Sequence, residues 1–128
     1  MGVWTATAAC HALDYFEDMP CTLLHGDAHP WNAICSDDGA VTLIDWDSAG
    51  LGPSIVDLGF LLLSAYGGGI DKPAVNWDAS RVRAVARGYA AVRTPEAAEL
   101  SRLAAAIRFR PLVGAVGCFV DAMGVGAA

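Results

Sequence analysis

Residues 33–44 read Ala-Ile-Cys-Ser-Asp-Asp-Gly-Ala-Val-Thr-Leu-Ile, two short β-prone runs around an Asp-Gly pair. Asp-Gly between such runs is the strongest short-range hairpin signal, because a two-residue type I′ turn needs positive φ at both central positions. A hairpin fixes register, and register fixes which side chains share a face. With Asp38-Gly39 as the turn, Asp37 pairs with Ala40, and Asn32 falls opposite Asp45. Directly opposed residues have Cβ atoms roughly 4.5–5.5 Å apart on one face. An amide oxygen and a carboxylate at that spacing suit one hard cation. Mg²⁺ is such an ion, taking a few protein oxygens while phosphates and waters complete its octahedron.

The rest of the chain reads as mostly helical. Residues 3–17 carry Ala6, Ala9, Cys10, Leu13 and Phe16 on one helical face, with Pro20 beyond the end. Leu23-Leu24 is a short buried strand, residues 33–36 and 40–44 are the hairpin strands, and residues 48–53 are a Gly/Pro loop. A buried helix is expected over about Ile55–Tyr66, followed by a polar connection over 67–78. An amphipathic helix over Ala79–Arg93 turns Val82, Val85, Ala86, Tyr89 and Val92 inward. Arg81, Arg83 and Arg87 then form a solvated face. Thr94-Pro95-Glu96 starts a further helix with an N-cap, Pro at N1 and an acid in the first turn. That helix buries Leu100, Leu103, Ala104 and Ile107 and reaches Arg110, where Pro111 breaks or kinks it. Gly114, Gly117 and Gly124 weaken the apolar segment that follows. The sum is an α+β fold, helices around a small hairpin, in a single domain over 1–128.

Charge is split along the chain. No Lys or Arg precedes Lys72, and residues 1–71 hold ten acids, giving −10; from 72 onward eight bases face four acids, giving +4. Nucleic-acid binding is disfavoured, since phosphate contacts need a basic face. The acidic half serves solubility or attracts cations, Mg²⁺ and a cationic substrate among them. Cysteines at 10, 21, 35 and 118 form no C-x-x-C pair and read as reduced, mostly buried thiols of a cytoplasmic protein. The most apolar run, Leu58–Tyr66, is far short of a membrane span.

Asp27 precedes Asn32 by five residues, and a carboxylate there can accept a hydroxyl proton or orient the hydroxyl for in-line attack. Protein-kinase catalytic loops separate Asp and Asn by four residues, with a later Asp on metal. His25-Gly26-Asp27-Ala28-His29-Pro30-Trp31-Asn32, then Leu43-Ile44-Asp45-Trp46 and Gly52-Pro53 with Asp57-Leu58, resembles the aminoglycoside phosphotransferase and choline kinase family. The resemblance spans about residues 22–60. It implies the C-terminal catalytic lobe of a protein-kinase-like fold, ATP and Mg²⁺ as cofactors, and transfer of the γ-phosphoryl group to a small-molecule hydroxyl. It also implies Asp27 as catalytic base, Asn32 and Asp45 as Mg²⁺ ligands, His25 as a brace for the loop, and Asp57 as acceptor of hydrogen bonds from it. His29 reads as a loop residue or a substrate contact, and Asp47 as a loop acid behind the metal ligands. Trp31 and Trp46 read as packing residues.

Kinases also need a glycine-rich loop over the phosphates and a lysine paired to a glutamate. The 24 residues before His25 hold no Lys and only Gly2, and Gly67-Gly68-Gly69-Ile70-Asp71-Lys72 lacks the P-loop spacing. The expectation is therefore a partial domain, a catalytic lobe without its ATP-gripping N-terminal lobe, with little activity alone. Mean hydropathy of +0.41 fits an uncovered face for that lobe or a partner chain. Two other readings stay open. One is a degenerate lobe serving as a binding module. The other is a metallohydrolase built on His25, Asp27 and His29 as a His-x-Asp-x-His set.

Overall fold

A computed structural model describes residues 15–67 and 79–122, with side chains as far as Gly114. The helix expected over 3–17 and most of the 67–78 connection lie outside them. Residues 15–18 form a turn, and Phe16 is buried.

Among the described residues, four short strands precede three α-helices. Strand β1 (Cys21–Leu24) pairs antiparallel with β4 (Gly50–Pro53), and β2 (Ala33–Cys35) pairs antiparallel with β3 (Val41–Leu43). The first ladder ends at Leu24↔Gly50, so residues 25–49 form one excursion closed at its base, with the second hairpin at its far end. Residues 48–53, expected as a loop, thus supply a strand from Gly50 onward. Gly52 makes this workable: a Cβ there would stand 2.8 Å from Leu24 Cδ1. Pro53 closes the ladder at its end, where a missing N–H is tolerated.

Helix α1 (Ser54–Gly67) is central, and no residue from Gly52 to Tyr66 is exposed. Its Ile55, Val56, Leu58 and Leu62 pack with Phe16, Met19, Leu24 and Ala106 in the core. Helix α2 (Ala79–Val92) covers one side with Val82, Val85 and Tyr89, whereas Ala86 is exposed and Val92 is 91% exposed. Helix α3 (Ala97–Ala122) crosses the other side. Gly59 and Ala106 meet there, a Cβ on Gly59 falling 2.5 Å from the Ala106 carbonyl carbon.

Helix α3 departs from expectation in three ways. It begins at Ala97, two residues later than the Thr94-Pro95 signal suggests, because Glu99 Oε2 accepts the Glu96 N–H (2.9 Å) and caps that turn instead. Its inward face carries Glu99, Leu103 and Ala106, while Leu100 and Ala104 are exposed. It also runs through Pro111 to Ala122. Pro deprives the helix of one N–H, but its fixed φ is helical, and Phe109 on the preceding turn packs on the core.

Glu99 is 3% exposed and sits in a network that ties the three helices together. Arg93 Nη1 donates to Glu99 Oε1 (2.7 Å), Ser54 Oγ (2.7 Å) and Tyr89 Oη (2.8 Å), and Tyr89 Oη donates to Ser54 Oγ (3.1 Å). Burial alone would push the Glu99 carboxyl up; the Arg93 guanidinium and the Glu96 N–H outweigh it and hold the carboxyl below its usual range. Among the described residues no helix is long and apolar enough to cross a membrane. Cys21 and Cys35 are free thiols, exposed rather than buried, because both lie on strands with an open face.

Two outcomes follow. A Glu99 carboxyl depressed in the folded state stabilises the fold above its unfolded pKa of about 4.3, and that contribution is lost as pH falls through the lower folded value. Urea titrations should therefore show stability falling below about pH 4.3, with a shallower fall in Glu99→Gln; identical profiles would contradict the network. Gly59→Ala should cost about 2 kcal/mol or more by wedging α1 from α3. Gly88→Ala, with open space around it in α2, should instead gain about 0.5–1 kcal/mol. Equal effects in thermal unfolding would rule out the close crossing.

Candidate functional site

The excursion over 25–49 is fixed where it leaves β1. Asp57, in the first turn of α1, accepts two backbone N–H groups from the loop: His25 N to Oδ2 (2.6 Å) and Gly26 N to Oδ1 (3.0 Å). Gly26 has φ +77°, and a Cβ on it would lie 2.1 Å from the Ser48 carbonyl oxygen. Only glycine permits both that backbone and that approach. The loop's return limb therefore lies directly against its start.

His25 is buried, with both ring nitrogens engaged. Nε2 donates to the Ile44 carbonyl (2.8 Å), and Nδ1 accepts the Asp27 N–H (3.3 Å). The Trp46 ring lies against it with centroids 4.6 Å apart. A single imidazole thus ties the outgoing limb to the returning one.

The Asp27 carboxylate is held from two sides. Asn32 Nδ2 donates to Asp27 Oδ2 (3.1 Å) and to the Asp27 carbonyl (3.0 Å). Arg110 Nη2 bonds Asp27 Oδ1 (2.8 Å) from α3, and its guanidinium lies over the Phe60 ring, 5.5 Å from the centroid. Both Asn32 amide protons are spent on Asp27, so Oδ1 is the atom left to accept or coordinate. His29 Nδ1 accepts the Trp31 N–H (3.2 Å), which leaves Nε2 as the protonated nitrogen, 3.5 Å from Asp27 Oδ2.

The register differs from the expected one. Ala33 pairs with Leu43 and Cys35 with Val41, one residue off, so Asn32 lies opposite Ile44 rather than Asp45. Asp38 is the cause. Its Oδ1 accepts the Ser36 hydroxyl (2.5 Å) and the Ala40 N–H (3.0 Å), which also holds its carboxyl below the usual range. Gly39 alone takes positive φ (+85°), and its N–H bonds to Ser36 O (2.9 Å). The result is a three-residue loop, a type I turn with a glycine bulge, in place of type I′.

Asp45 therefore lies just past the ladder. The Ile44 N–H bonds the Asn32 carbonyl (3.0 Å), keeping the two segments together. Asp45 then turns the chain with φ +61° and ψ +65°, the one non-glycine residue with positive φ among those described. Such backbone costs roughly 1–2 kcal/mol for a residue with a Cβ. Its carboxylate accepts no cap hydrogen bond and is exposed, as is Asp47 in the short 3₁₀ turn Trp46–Ser48 that follows. The Asn32 amide oxygen and the Asp45 carboxylate are thus uncommitted hard donors of the kind Mg²⁺ takes. Among the described residues no three His, Cys, Asp or Glu side chains cluster to hold a metal ion. The His-x-Asp-x-His reading fails on this geometry, since both His25 nitrogens bond the protein and His29 turns Nδ1 to its own loop. Both tryptophans, expected as packing residues, are exposed: Trp46 (45%) lies against His25 on one side, and Trp31 (60%) meets the His29 ring edge-on.

Arg110 was not foreseeable as part of this site. It stands 83 positions from Asp27, and its only sequence mark is a charge immediately before Pro111 in an apolar stretch.

The family model described as the phosphotransferase enzyme family matches residues 3–100. The chain belongs to that family, as the motifs over 22–60 led one to expect. No curated protein and no solved structure matches it.

Gly26→Ala should destabilise the fold by roughly 3 kcal/mol, combining a disfavoured φ with a backbone clash. Denaturant unfolding checks this, and a change within 0.5 kcal/mol, the scatter typical of neutral surface substitutions, would contradict the Gly26–Ser48 approach.

Proposed function

We propose that this chain is the base-and-metal half of an ATP-dependent small-molecule kinase, transferring the γ-phosphoryl group to a hydroxyl. The observation that carries the reading is the Asp27–Asn32 pair, bonded side chain to side chain at 3.1 Å on a loop anchored by Asp57. Asp27 is the catalytic base. Arg110 and Asn32 each take one lone pair of its carboxylate, and lone pairs remain for an acceptor hydroxyl. The hydroxyl proton passes to Asp27, the oxygen bonds the γ-phosphorus, and the bridging P–O bond to the β-phosphate breaks with release of ADP. Asn32 Oδ1 and Asp45 would hold Mg²⁺. When bound, that ion neutralises charge on the phosphates. Asp57 and His25 position the loop and touch no reactant.

A glycine loop and a lysine over the phosphates belong to a further lobe in this reading. Leu23 (64% exposed) and Leu51 (77%), opposite each other on β1 and β4, supply an exposed apolar surface that supports such a covering lobe. The Arg110 ion pair on Asp27 favours one alternative, a lobe retained for binding in which that carboxylate is permanently occupied.

Phosphotransfer to a panel of hydroxyl compounds, by the chain joined to an N-terminal lobe of the same family with Mg²⁺ and ATP, separates the two. The kinase reading expects transfer that falls at least about 100-fold in Asp27→Asn. A well-folded fusion without transfer, or transfer indifferent to Asp27→Asn, would favour the binding module.

A further inference from the structure

The Asp27 carboxylate is bracketed by its own loop and by α3. Asn32 Nδ2 donates to Oδ2 (3.1 Å), and His29 turns Nε2 toward that same oxygen at 3.5 Å. Arg110 Nη2 donates to Oδ1 (2.8 Å). Phe60 of α1, 5% exposed, supports both flanks: its ring lies under the Arg110 guanidinium (5.5 Å) and meets the His29 ring edge-on (5.9 Å). Each carboxylate oxygen carries two lone pairs. Those of Oδ2 face Asn32 and His29. Among the described residues Oδ1 faces Arg110 alone, so one of its acceptor positions is open. Solvent reaches the group, since the Asp27 side chain is 24% exposed.

We infer that Arg110 is a positioning residue: seated on Phe60, it fixes the Asp27 carboxylate and leaves Oδ1 as the oxygen that receives the acceptor hydroxyl. The inference rests on the kinase reading and names the reacting atom and what aims it. The last torsion of an aspartate side chain is broad, so the Asn32 bond on one oxygen leaves the carboxylate loose. A second bond, on the other oxygen and from a different element, closes that freedom. Arg110 acts through Asp27 and touches no reactant. Its guanidinium uses one lone pair of Oδ1 and leaves the other, so the pair aims the carboxylate without blocking it. Holding the fold together is a poor account of the same contact. The Arg110 and Asp27 side chains are 34% and 24% exposed, and ion pairs open to water add little to stability. Helices α1 and α3 are already joined at the Gly59–Ala106 crossing and through Glu99.

NMR of the ¹⁵N-labelled chain, together with kinetics of its fusion to an N-terminal lobe, tests this. In the chain alone, Arg110→Met should speed exchange of the Asn32 side-chain amide with water, while the Gly59 and Ala106 backbone amides keep their protection. Arg110→Lys, which retains the charge, should restore part of the Asn32 protection. In Asp27→Asn, where the ion pair is already gone, Arg110→Met should change the Asn32 amide no further. In the fusion, Arg110→Met should lower kcat by about 100-fold, the loss that a misplacement of about 1 Å causes, and leave the KM for ATP within about twofold. An Asn32 amide indifferent to Arg110→Met, or loss of protection at Gly59 and Ala106 instead, would overturn the inference. A fusion that transfers no phosphoryl group while the Asn32 amide responds to Arg110→Met would remove the kinase reading and keep the hold of Arg110 on Asp27. Transfer that depends on Asp27 and not on Arg110 would do the reverse.

Discussion

The two hydrogen bonds that Asp57 accepts from His25 and Gly26 are the constraint from which the candidate site is built. Bonds to an ionised acceptor are stronger than neutral ones, and here both oxygens of one carboxylate are engaged by successive amides. Asp57 is itself fixed, since Ile55 beside it is fully buried and α1 is covered on every side. The core therefore determines where the loop starts. The Gly26 backbone then determines how closely Ser48 returns, and His25 joins the limbs through Ile44. Asp27 and Asn32 inherit their positions from that frame.

How much of this the sequence revealed depends on the range of the interaction. The helix over 54–67, the turn-forming character of Asp37-Asp38-Gly39 and the spacing of Asp27 and Asn32 are local and were legible. The register was not, because two arrangements of one Asp-Gly turn differ by a residue, and the Asp38 carboxylate selects between them through Ser36 and Ala40. Asp45 consequently reaches its place by a left-handed turn rather than by pairing. Strand β4 was hidden because Gly50-Leu51-Gly52-Pro53 has the composition of a loop, and only its partner β1 makes it a strand.

Interactions between distant segments were the least legible. Periodicity marks Leu100 as core on α3, yet it is 52% exposed while the charged neighbour Glu99 is buried. Glu99 is satisfied by Arg93, Ser54 and the Glu96 N–H, a network that spans three helices and leaves no pattern in any one of them. Arg110 belongs to the same class. It brings the C-terminal helix onto the loop, so the face that carries Asp27 is assembled from both ends of the described chain.

The site combines a rigid underside with an open front. Asp57, His25 and Gly26 hold the loop from below, while the Asp45 carboxylate and the apolar side chains of the strands face outward. The central claim is that Asp57 fixes the loop, and amide hydrogen exchange of the chain tests it most directly. The account predicts that the His25 and Gly26 amides exchange as slowly as the core of α1, and that both become fast in Asp57→Ala while α1 stays protected. Exchange of these two amides in the unaltered chain at the rate of the exposed Trp46–Ser48 turn would contradict it.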